Sequence, residues 1–193
     1  MKFSRTVLSI ATACAALSCV APASAAVLTS VGGSSANIVT DLSTGSALSF
    51  DFDLVNFTPV TLNFAVEAAD LSSSLSFNTL IRNLTGFNFG QIDVELTNAT
   101  FTQAGTITPT FGTRTALTST PTRAFAAFNP GEPAELYFGN PLALPQQSDW
   151  LLSVAGRAVG DSFSIRTAVP EPATYALLGA GLLLLGMSRR RQQ

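Results

Sequence analysis

Leu48, Phe50, Phe52 and Leu54 alternate with Ser49, Asp51 and Asp53. That period of two puts the apolar side chains on one face of a strand and the polar ones on the other. Leu62, Phe64 and Val66 alternate in the same way with Thr61, Asn63, Ala65 and Glu67. Further strand patterns cover 75–81, 91–97, 123–128, 135–138, 150–154 and 162–166. Turn chemistry separates them, as in Asn56-Phe57-Thr58-Pro59, Thr85-Gly86 and Gly139-Asn140-Pro141. About eight short strands without a helical stripe predict an all-β fold, a single antiparallel β-sandwich or jelly-roll-like domain over 26–168. That stretch is long enough for one core. The threonine-rich 97–121 reads as a long loop or irregular edge strands, with Phe101, Ile107 and Phe111 arguing against disorder.

The two ends carry a different pattern. Lys2 and Arg5 precede an apolar run from Val7 to Val20, and Ala23-Ser24-Ala25 supplies small residues for signal peptidase. Residues 1–25 therefore read as a secretory signal peptide, with the mature chain starting at Ala26. A lipid-modified start at Cys14 or Cys19 is disfavoured, because Ala11 and Ala16 stand where a leucine-like residue is wanted. At the other end, 169–172 is Val-Pro-Glu-Pro, 173–188 is uncharged and largely apolar, and 189–193 holds Arg189, Arg190 and Arg191. As a helix, 173–188 rises about 24 Å, short of the roughly 30 Å hydrocarbon core, which suits a temporary anchor. The arginines orient it with the 26–168 domain outside and the tail in the cytoplasm.

Composition changes the picture mainly by exclusion. The chain has no histidine, its only lysine is Lys2, and Cys14 and Cys19 leave with the signal peptide. A mature chain of this kind has no disulfide and rests on its apolar core. Eleven acidic residues against five arginines give the 26–168 domain a net charge near −6. Without a basic cluster it is a poor partner for nucleic acid.

The order of Pro-Glu-Pro, short apolar helix and terminal arginines resembles the PEP-CTERM sorting signal of Gram-negative bacteria. The resemblance covers 169–193. It implies that Pro170, Glu171 and Pro172 are the recognition triplet of exosortase, a membrane enzyme thought to cleave there and to transfer or release the domain. It further implies an inner-membrane precursor and a destination at the cell surface or extracellular matrix of an exopolysaccharide-producing bacterium. The partners expected are signal peptidase, exosortase, the inner membrane transiently, and exopolysaccharide.

Catalytic machinery is hard to assemble from what remains. Without histidine, lysine or mature cysteine there is no Ser-His-Asp triad, no Cys-His pair, no Schiff base and no ordinary zinc site. Paired carboxylates survive, at Asp51 with Asp53 and at Asp93 with Glu95. They keep open a carboxylate-dependent polysaccharide-processing enzyme, although alternating acids usually form the solvated face of a strand. The same Asp51 and Asp53 are the candidates for calcium; otherwise no cofactor is expected. Tyr137 and Trp150 are candidate stacking platforms for a carbohydrate-binding module. The main expectation is a non-enzymatic structural or adhesive matrix protein.

Overall fold

Strict alternation in the sequence becomes strict alternation in burial. The computed structural model describes residues 26–129 and 134–170. They form β1 (Val27–Gly32), β2 (Ile38–Asp41), β3 (Ala47–Leu54), β4 (Val60–Ala65), β5 (Leu75–Asn83), β6 (Gln91–Thr97), β7 (Thr100–Gln103), β8 (Ile107–Pro109), β9 (Thr113–Thr120), β10 (Arg123–Asn129), β11 (Glu135–Phe138), β12 (Trp150–Ser153) and β13 (Ser162–Ala168), with one 3-10 turn at Ala68–Leu71. All eight stretches read from the sequence are strands, with ends shifted by at most about two residues. In β3, Leu48, Phe50, Phe52 and Leu54 face inward as expected.

Five strands carry little of that signal. β1 and β2 have no fully buried residue, and β9 is exposed along its whole length. Edge strands that bury no continuous face show no clean period. The 97–121 segment resolves into β7, β8 and β9, and Phe101 and Ile107 enter the core while Phe111 stays out.

The strands form two sheets. One runs β1-β4-β13-β6-β10-β9; the other runs β2-β3-β5-β11-β8, with β12 joining β5 to β7. The expected purely antiparallel arrangement needs a correction, since β3 and β5 pair in parallel from Ala47↔Ser76 to Leu54↔Asn83. The cause is the route of the chain. Between β3 and β5 it crosses to the other sheet as β4, and two reversals of direction bring β5 back along β3 with its original sense.

Phenylalanine fills the space between the sheets. Phe50 of β3 meets the edge of Phe64 from β4 at 5.9 Å, and Phe64 stacks on Phe163 of β13 at 4.9 Å. Phe138 and Phe101 pack on Trp150, each at 4.9 Å between centroids. Such ring pairs add about 0.5–1.5 kcal/mol beyond area burial, and they form two groups, one around Phe64 and one around Trp150, within a single apolar core.

Candidate functional site

The chain leaves the sandwich from the middle of a sheet. β13 lies between β4 and β6, with Thr167 opposite Val60 and Ala168 opposite Asp93. Val169, the residue before Pro170, is still only 4% exposed. The last core residue therefore directly adjoins the Pro-Glu-Pro stretch, with no linker between them. Of the residues singled out at this end, Pro170 is described; Glu171, Pro172, the helix expected at 173–188 and Arg189, Arg190 and Arg191 lie outside the described residues. Among the described residues no helix is long and apolar enough to cross a membrane.

Register places several loops at this same end. β4 and β6 both begin here, and β10 ends here, with Asn129 opposite Thr113 at the start of β9. The loops before β4, β6 and β9 therefore surround the exit. They carry Phe87 and Phe111, each 67% exposed, together with exposed Val55 and Leu84.

Of the residues expected at signal cleavage, Ala23 and Ala25 lie outside the described residues, and Ala26 is described. Ala26 is 4% exposed and leads into β1, whose Val27 pairs with Ala65 of β4. A cleft of about 250 Å³ opens beside it, lined by Ala26, Leu28, Asp41, Ser43 and Thr44 among others.

The paired acids sit on outward strand faces and are engaged by arginine. Arg82 Nε donates to the Asp53 carboxylate, and its Nη2 lies 3.8 Å from Asp51. Arg123 binds Asp93 through Nε and Nη2, and Arg166 reaches Glu95 at 3.2 Å. These contacts raise the pKa of Arg82 and Arg123, with the hydrogen bonds to Asp53 and Asp93 as the largest cause. Among the described residues no three His, Cys, Asp or Glu side chains gather as a metal-holding group.

The sugar-platform reading of Trp150 is corrected by its position. Its side chain is fully buried between Phe101 and Phe138, and its indole N–H donates to Thr106 O at 3.2 Å. Gly105 makes room for it, since a Cβ there would fall 2.6 Å from the indole Cδ1. Tyr137 is half-buried, and its hydroxyl contacts Glu135 at 3.4 Å. Partial burial and the neighbouring Glu135 push that hydroxyl above its ordinary pKa.

Two acids missed as special by sequence reading hold local structure. Asp149 accepts hydrogen bonds from Ser76 Oγ, from Asn78 Nδ2 at 3.1 Å and from the Asn140 backbone at 2.8 Å. It ties the loop before β12 to β5. Asp70 is only 2% exposed and accepts the Glu67 backbone N–H at 2.7 Å. The Glu-x-x-Asp spacing at the start of the 3-10 turn was the available signal for that second role.

A family model described as the PEP-CTERM protein-sorting motif matches residues 168–192. No curated protein and no solved structure matches the chain. The motif marks a bacterial protein exported to and anchored at the cell envelope, sorted to the cell surface with exosortase as its processing partner.

Proposed function

We propose that the chain carrying this motif is a non-catalytic structural or adhesive protein of the cell surface or exopolysaccharide matrix. The signal peptide is cut after Ala25, and helix 173–188 holds the precursor in the inner membrane with the exit end of the sandwich toward the bilayer. Exosortase then acts at Pro170-Glu171-Pro172. The observation that carries this reading is the direct passage of β13 through buried Val169 into the motif. With so short a tether, the folded sandwich keeps the Pro-Glu-Pro stretch beside the membrane, where a membrane enzyme can reach it. Exposed Phe87 and Phe111 sit in loops at the same end of the sandwich, in keeping with aromatic side chains that settle at a membrane interface.

A non-catalytic role is supported by the disposition of the acids. Glycoside hydrolysis uses two carboxyl groups facing one another across the scissile bond, roughly 5 to 9.5 Å apart. Here Asp51, Asp53, Asp93 and Glu95 lie on strand faces and share arginines, and the cleft beside Ala26 contains one carboxylate, Asp41. The test is fractionation of matrix from a wild-type and a deletion strain, followed by incubation of the protein with the isolated polysaccharide. The protein is expected to sediment with the polymer and to leave its length unchanged. Release of new reducing ends would replace the structural role with an enzymatic one.

A further inference from the structure

We infer that Asp70 is the binding site for the α-ammonium group of Ala26, so that removal of the signal peptide creates a buried ion pair that locks the mature fold. This rests on the proposed cleavage after Ala25.

Geometry brings the two groups together. Val27 pairs with Ala65, so the antiparallel register carries Ala26 past Val66, next to the turn Ala68–Leu71 that holds Asp70. Both residues are buried, at 4% and 2% exposure. In the uncut chain the Asp70 carboxyl accepts from two neutral donors among the described residues, the backbone N–H groups of Glu67 and Ala26. Burial raises its pKa above the ordinary 3.8, the backbone donors lower it, and the like charge of Glu67 raises it further. Asp41 is the charged side chain lining the cleft on the other side of Ala26. The charges named around this position, those of Asp70, Glu67 and Asp41, are all negative, so a cation placed here meets charge of the opposite sign.

Cleavage supplies one. Hydrolysis of the Ala25–Ala26 amide consumes water and leaves a carboxylate on Ala25 and an α-ammonium on Ala26. One neutral N–H becomes a charged group with three donors, aimed at a carboxylate already desolvated. Charge-assisted hydrogen bonds of this kind are about twice as strong as neutral ones.

The linkage signs follow for each chain. In the uncut chain Asp70 has a raised folded pKa, so stability falls as pH rises from 3.8 through that value. In the mature chain the α-ammonium gains a partner, which raises its folded pKa above the free value of about 7.7–8.0. Its stabilisation is present below that free value and is lost as pH rises through the folded one.

The test uses the chain from Ala26 to Gln193 in detergent, released tracelessly to begin either at Ala26 or at a Gly-Ser extension before it, each as wild type and as Asp70→Asn. Unfolding is followed against pH. The Ala26-start wild type is expected to lose stability above about pH 8, and the extended chain is expected to show no such loss. At neutral pH, Asp70→Asn should lower the folding equilibrium constant at least about tenfold more in the Ala26-start chain than in the extended one. Equal cost in both backgrounds, or identical alkaline profiles for the two wild-type chains, overturns the inference. Should Asp70→Asn fail to fold, the two wild-type profiles decide. N-terminal sequencing of exported protein separately tests the cleavage reading, because a start other than Ala26 overturns that reading without touching the four-chain comparison.

Discussion

Arg82 on β5 donates to the Asp53 carboxylate on its parallel neighbour β3 and stands 3.8 Å from Asp51. One guanidinium thus serves the two acids that made β3 a candidate for calcium. Calcium up to millimolar concentration is expected to leave the thermal midpoint unchanged. Arg82→Ala should cost about 1 kcal/mol, since the guanidinium keeps substantial contact with solvent. A calcium-dependent rise in midpoint that disappears in Asp51→Asn would instead put a cation at β3.

The two faces of β3 should respond very differently to substitution. Phe52 is fully buried between the sheets, and Phe52→Ala should cost about 3–5 kcal/mol by lost burial and cavity formation. Phe52→Asp should prevent folding at ordinary temperature, because an unpaired charge enters the core. Asp51→Ser should change stability by no more than about 0.5 kcal/mol. Denaturant unfolding checks all three, and equal severe loss at both positions would mean that β3 is wrongly faced.

Trp150 should behave as a core residue. Its fluorescence is expected to be blue-shifted and insensitive to added polysaccharide, with a red shift on unfolding. Gly105→Ala should destabilise the domain by about 1–3 kcal/mol through overpacking against the Ser148–Asp149 backbone and the indole. Quenching of Trp150 by saccharide in the folded protein would contradict its position.

Asp149 should matter more than any of the paired surface acids. Asp149→Ala leaves Asn78 Nδ2 and the Asn140 N–H without their acceptor and should cost about 1–3 kcal/mol. Thermal unfolding of this variant beside Glu95→Ala measures the contrast. A smaller loss for Asp149 would mean that solvent replaces it.

Legibility in the sequence follows burial. β3 and β4 were readable because one face of each is sealed and the other wet, so hydropathy alternates with the pleat. β1, β2 and β9 bury no such face and left little to read. The parallel β3–β5 pair was hidden for a different reason: the turn at 55–59 shows that the chain reverses, but not which sheet receives it. Trp150 looked like a platform because its neighbours in space, Phe101 and Phe138, are distant in sequence. The sorting motif was legible because it is a linear pattern, and the family model matches it over 168–192. The buried setting of Asp70 depends on where Ala26 packs, which local spacing does not encode.

The Pro-Glu-Pro triplet, more than the hydrophobicity behind it, is expected to set the destination of the protein. Proline disfavours helix at its own and the preceding position, so alanines at 170 and 172 are expected to let the helix expected at 173–188 lengthen upstream. The deciding measurement is cell fractionation with an antibody to the 26–168 domain, comparing wild type, the variant with Pro170, Glu171 and Pro172 all replaced by alanine, and wild type in a strain lacking exosortase. A shortened protein at the cell surface or in the matrix is expected for the first, and full-length precursor in the inner membrane for the other two. The same mass and location in all three would contradict it.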